Sequence, residues 1–180
     1  MTESTPKTPR LMPNRVVHPL IVAALALAAT SAFAQTAAPT DAQRAFATIK
    51  SMPGIWEGKT ASGEPVQVNF KVTAAGSAVM SEILGKEDMI TMFHLDGPNR
   101  LLMTHYCGAG NQPRMRAALS PDGKTITFNF VDATNLATPE AGHMQRMVLT
   151  LLDDNHHTEE WTYVDHGKER TEVFDLRRTM

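Results

Sequence analysis

The chain has 180 residues, 42% of them hydrophobic and 20% charged, and a formal net charge of −2. That length suits one domain, and that apolar content supports a packed core and excludes a wholly disordered chain. The slight acidic balance counts against nucleic acid or an anionic membrane as the main partner, since both are held by a basic surface.

Lys7, Arg10 and Arg15 precede an apolar run at 20–29, and Ala32-Phe33-Ala34 follows it. This is the layout of a secretory signal, with small residues at the two positions that a signal peptidase reads. We expect 1–34 to be a signal peptide cleaved after Ala34 and the protein to be periplasmic or secreted. A buried helix or short anchor is the alternative, but the run falls short of the roughly 20 helical residues that span a bilayer. Met12 also opens a complete signal by itself. Removing Lys7, Arg10, Arg15 and Glu3 with the leader takes the 17 basic and 19 acidic residues to 14 and 18. Gln35, not a cysteine, directly follows the cleavage point, so no lipid anchor is expected there, and no stable membrane anchor after signal removal. Cys107 is the single cysteine, so the fold must hold without an internal disulfide.

Residues 35–40 read as a flexible leader, and 41–180 as the folded domain. A short helix is predicted over 41–52, capped by Thr40 or Asp41. Ala42, Ala45, Phe46, Ile49 and Met52 form its apolar stripe, and Pro53-Gly54 ends it. Beyond Gly54 the helical period gives way to short β-rich runs between turn residues. Strands are predicted at 55–60, 65–73, 77–84, 88–95, 100–106, 113–119, 124–132, 143–152, 156–165 and 168–178. The second alternates cleanly, with Val66, Val68, Phe70 and Val72 on one face and Gln67, Asn69 and Lys71 on the other. Asp96-Gly97-Pro98-Asn99 is a strong turn signal, and 133–142 is the longest loop.

About ten strands joined by short turns must be antiparallel neighbours, because a parallel pair needs a long crossover. Closing the meander into an up-and-down barrel buries one face and removes both edges. The fold class is therefore all-β: a ten-stranded antiparallel up-and-down β-barrel with a short N-terminal helix, a sandwich being the runner-up. Barrel width grows with strand number, so ten strands are expected to leave a ligand cavity, with the helix covering one end.

Gly54-Ile55-Trp56-Glu57-Gly58 resembles the Gly-x-Trp signature of lipocalins, and more closely the Gly-x-Trp-x-Gly start of nitrobindin-like and fatty-acid-binding-like barrels. On that reading Gly54, Trp56 and Gly58 are structural: glycine lets the helix approach the barrel floor, and the indole plugs that end while its N–H finds a carbonyl. The stretch from His105 to Met115, with 130–136 and 142–144, resembles a family of uncharacterised exported bacterial proteins carrying a domain of unknown function. The resemblance implies a calycin (lipocalin-like) barrel. Nitrobindin-like proteins bind haem through a histidine on a strand near the C-terminus. Here 168–178 contains no histidine, so no haem ligand is carried over and no cofactor is expected.

The expected ligand-contacting set is His105, Cys107, Asn111, Arg114, Arg116, Trp161 and Tyr163. His105 and Cys107 share a strand face and would suit a metal or a thiolate–imidazolium pair, but no second close His/Cys pair completes a four-ligand site, so no metal is expected. Arg114 and Arg116 share a face; they are either solvated outside the barrel or turned inward to hold a carboxylate or phosphate. Trp161 and Tyr163 alternate with His157 and Glu159 onto one face, either a ligand wall or a packed barrel face. Several methionines lie in strands, read as core filling or as a deformable pocket. No phosphate-binding glycine loop, nucleophile elbow, His-Glu-x-x-His or paired CxxC is present. The expected function is an exported protein holding a small hydrophobic molecule in the barrel. The alternatives are a haem- or thiol-dependent enzyme in the same cavity, or a filled barrel with a structural or interaction role.

Overall fold

The computed structural model describes Met1 and residues 37–85 and 87–179. Apart from Met1, the expected signal sequence at 1–34 lies outside the described residues, as does the start of the leader. Thr40 starts the helix α1 (Asp41–Lys50) with a reciprocal cap: its side chain accepts from the Gln43 backbone N–H, and the Gln43 side chain accepts from the Thr40 N–H. Ala45, Phe46, Ile49 and the following Met52 are buried. The helix stops two residues short of Met52 because the Ser51 N–H already bonds back to Thr48 and Ile49 and Pro53 cannot continue the ladder.

Ten strands follow: β1 (Gly54–Thr60), β2 (Pro65–Thr73), β3 (Ala78–Leu84), β4 (Met89–Leu95), β5 (Leu101–Tyr106), β6 (Gln112–Leu119), β7 (Thr125–Thr134), β8 (His143–Asp153), β9 (His156–Asp165) and β10 (Lys168–Arg178). Each pairs antiparallel with the next, and β10 pairs with β1, so the sheet closes on itself as a barrel. Closure removes the sandwich from consideration. Bulges interrupt the register at Arg114/Met115 on β6 and at Met144/Arg146 on β8.

The seam between β1 and β10 sets Trp56 opposite Arg178 and Gly58 opposite Leu176. Here lies the reason for Gly58: a Cβ on it would sit 1.7 Å from the Asp175 carbonyl oxygen. The close approach is strand to strand, not helix to floor as expected from sequence. Gly54, with φ +125°, occupies backbone space closed to other residues. Gly58→Ala is expected to destabilise the fold by about 1–3 kcal/mol or more through overpacking against backbone that cannot step aside. A urea midpoint equal to wild type would show that the seam relaxes freely.

Trp56 plugs the end of the barrel where α1 lies. Its indole N–H donates to the Met52 carbonyl at 2.9 Å. Arg178, from the last strand, lays its guanidinium over the indole at 4.2 Å from the ring centre. The same guanidinium donates to the Pro53 carbonyl at 2.6 Å and reaches those of Ser51 and Met52. One cation therefore holds the helix end, the plug and the seam. At the other end of the helix, Thr40 Oγ1 donates to the Pro98 carbonyl in the β4–β5 turn.

The inward positions are those that alternation predicts: Val66, Val68 and Phe70 on β2, and Ile126 and Phe128 on β7, are all buried. The expectation of spare room inside is corrected by how these positions are filled. Trp56, Phe70, Phe93, Met103, Met115, Phe128, Met147 and Trp161 each keep 3% or less of their surface exposed. Large aromatic rings and flexible thioethers together occupy the middle of the ten-stranded cylinder.

Candidate functional site

Polar groups stand out inside this apolar filling. Thr91 on β4 and His105 on β5 are direct cross-strand neighbours, and Thr91 Oγ1 meets His105 Nδ1 at 2.9 Å. His105 is fully buried, its Nε2 has no partner, and its ring lies 4.8 Å from that of Trp161. Burial pushes the His105 pKa down to about 4, so the imidazole is neutral at neutral pH. On β9 the Trp161 indole N–H donates to Glu159 Oε2 at 2.9 Å, and Glu159 Oε1 faces His157 Nε2 at 3.3 Å. His157 and Glu159 are both wholly buried, and the His157 ring is set edge-on to Trp56 and Phe70.

The end of the barrel away from α1 is the mouth. A cleft of about 590 Å³ opens there, with Val66, Ile83, Met89 and Phe174 as its apolar walls and Glu64, Glu87, Arg170 and Glu172 among its polar ones. An adjoining cavity of about 330 Å³ shares Glu87, Met89 and Arg170 and adds Cys107, Met144 and Tyr163. Glycines make room for this rim. A Cβ on Gly108 would meet the Glu87 carboxylate at 2.1 Å, and one on Gly142 would meet the Tyr163 hydroxyl at 1.9 Å. Arg170 lies over the Tyr163 ring at 5.4 Å. Burial raises the Tyr163 phenol above its ordinary pKa, with Asp165 and Cys107 adding to the rise and Arg170 opposing it. One oxygen of Glu172, Oε1, is buried without a partner. A second cleft of about 490 Å³ lies at the helix end, between Ser51, Trp56, Leu151 and the β8–β9 turn at 153–155.

The residues expected from sequence separate into three groups. Cys107 and Tyr163 come together at the mouth, and His105 and Trp161 lie one inward position deeper, their rings in tilted contact. Asn111 is buried as a tie between loops, its Nδ2 donating to the Gly142 carbonyl at 2.8 Å. Arg114 and Arg116 are exposed on the outer face, and Arg114 grips Asp132 through two hydrogen bonds. Their inward neighbours, Met115 and Ala117, take the lumen side, so no anion held inside the barrel reaches these guanidinium groups. Sequence reasoning missed Thr91, Glu172, Glu87 and Arg178. The glycines at 108 and 142 were the available signal for a crowded rim, but not for which side chains crowd it.

A catalytic thiol is poorly served by these surroundings. Burial raises the Cys107 pKa, a hydrogen bond from the Ala109 backbone opposes the rise, and the nearby Glu87 charge adds to it. The two inward imidazoles of the lumen are packed against Trp161 and against Trp56 and Phe70, and β10 offers no histidine. Among the described residues, no group of three or more His, Cys, Asp or Glu side chains is placed to hold a metal ion. No described helix is long and apolar enough to cross a membrane.

The fold and the mouth define a closed ten-stranded antiparallel barrel, plugged by a helix at one end and indented at the other. Among solved structures, the chain is similar to a protein of unknown function from the DUF3598 family of Nostoc punctiforme PCC 73102. They share 9% identity with a TM-score of 0.50, over 73% of this chain and 49% of that one. It is also similar to Rv2717c from M. tuberculosis, with 12% identity and a TM-score of 0.54, over 76% of this chain and 98% of that one. The chain thus spans about half the length of the Nostoc protein. At these identities the likeness shows the fold alone. No protein-family model matches the sequence, and no curated protein matches it.

Proposed function

We propose that the protein is an exported binding protein that takes a small, largely apolar molecule at the mouth of its barrel. The observation that supports this reading is the cleft of about 590 Å³ walled by Val66, Ile83, Met89 and Phe174, with charged side chains at its rim. Its volume lies in the range of small-molecule sites, roughly 300–1,000 Å³, and its make-up follows their pattern of apolar walls with a few convergent polar groups. The site is shallower than a lipocalin-type cavity, because the side chains beneath it leave the ligand only the top of the cylinder. The outward Arg114 and Arg116 have no part in it.

Mass spectrometry of an organic extract of the purified protein is expected to reveal a bound molecule. Val66→Trp, which fills the cleft, is expected to weaken binding of a fluorescent fatty-acid probe at least about tenfold, the loss of a little over 1 kcal/mol. An empty extract together with equal probe affinity in wild type and variant would overturn the reading. The filled middle of the barrel favours the second reading, a structural role in which the surface carries the function, and that double negative is the result it expects.

A further inference from the structure

We infer that the molecule taken at the mouth is an amphiphilic cation, a hydrocarbon bearing a protonated amine that docks on the carboxylate of Glu172. The inference rests on the proposed binding reading and names the chemistry of what enters the same cleft.

Arg170, Glu172 and Phe174 alternate along β10 and all line the cleft of about 590 Å³, so their side chains stand on the lumen side of that strand. The cross-strand neighbour of Glu172 is Trp161, which is buried in the packed middle of the barrel. Glu172 therefore stands where the filled lumen gives way to open space, beside the Phe174 ring that forms one apolar wall. Its Oε1 is buried and has no hydrogen-bond partner. Such an oxygen is uncommon, and leaving it unpaired is costly. The cation two residues away on the same face does not satisfy it: the Arg170 guanidinium lies over the Tyr163 ring, 5.4 Å from its centre. A ligand that donates a hydrogen bond to Oε1 removes that cost, and a charged donor makes the stronger bond.

The surroundings select the sign of the charge. Glu64 and Glu87 line the cleft with Glu172, which leaves Arg170 as one cation against three carboxylates among the described residues. An anionic head would bring further negative charge to an unpaired carboxylate oxygen, whereas a cation is drawn in by the field and pairs on arrival. An aliphatic amine keeps its proton at neutral pH, as the lysine side chain does. Val66, Ile83, Met89 and Phe174 then take the hydrocarbon.

The test titrates the full chain calorimetrically with decylamine, decanol and decanoate, three probes with the same chain and different heads, each below its micelle concentration. In wild type the amine is expected to bind at least about tenfold more tightly than the alcohol or the carboxylate, as a hydrogen bond to a charged group warrants. Glu172→Gln keeps the side-chain volume and is expected to abolish that preference while leaving decanol affinity unchanged. Glu160→Gln makes the same change of charge at an exposed position on β9 and is expected to retain the preference. Equal affinity for the three probes in wild type, a preference that survives Glu172→Gln, or one lost equally in Glu160→Gln would overturn the amine and leave the cleft as an apolar site. Failure of all three probes to bind would overturn the cleft itself, and the amine with it.

Discussion

Glu159→Ala is expected to remove several kcal/mol of stability, about 1–3 kcal/mol for each of the two buried groups it leaves without a partner. Glu159 is wholly buried, and its two oxygens are divided between the Trp161 indole N–H at 2.9 Å and His157 Nε2 at 3.3 Å. Alanine leaves both groups without a partner in a region where Leu149 and Phe174, the cross-strand neighbours of Glu159, offer none. Glu159→Gln keeps an acceptor for the indole and the side-chain volume, and is expected to lose only about 1 kcal/mol. Urea unfolding, followed by tryptophan emission, separates the two. Equal, small losses in both variants would show that the carboxyl side chain is not what holds these rings in place.

The second large effect is acid destabilisation through His105. Its pKa in the folded protein is pushed down to about 4 by burial, against 6.5 for the free side chain. The sign follows from which state takes the proton. As pH falls below about 6.5 the unfolded chain protonates this imidazole while the folded chain refuses it, so stability declines until the folded imidazole also protonates near pH 4. A gap of this size amounts to about 3 kcal/mol. Carboxylates titrate over part of the same range, so the informative quantity is the difference between wild type and His105→Gln. That variant keeps a hydrogen-bonding group facing Thr91 and is expected to flatten the decline between pH 7 and pH 4. Two parallel stability curves over that range would sink the assignment.

Much of the barrel was legible in the sequence because a strand with one buried face repeats every two residues. Val66, Val68, Phe70 and Val72 announce their side of β2 with no knowledge of any partner, and the turn residues mark each reversal. The plug was legible for a similar reason: Trp56 follows Pro53-Gly54 closely enough that its carbonyl partner, Met52, is local. What escaped depends on distant pairing. Thr91 becomes the partner of His105 only once β4 and β5 are set in register, and Arg178 meets the helix end only when the seam closes. The arginines at 114 and 116 were ambiguous because alternation divides a strand into two faces without saying which is inside; the packing of Met115 decides it. The filling of the lumen was the hardest to foresee, since it depends on how Trp161, Phe93 and the methionines share volume across all ten strands.

The seam has a consequence for the order of folding. The strand that completes the cylinder, Lys168–Arg178, is the last of the ten to be synthesised, and its partner, Gly54–Thr60, is the first. Until it arrives, β1 and β9 are bare edges open to pairing with another chain, and Trp56 lacks the guanidinium that covers it. A nascent chain cannot lock the barrel before all ten strands have left the ribosome, and closing so long a loop makes folding slow relative to local hairpin formation. Such a polypeptide stays threadable until late, and it is most exposed to self-association in the interval before its final hairpin swings shut.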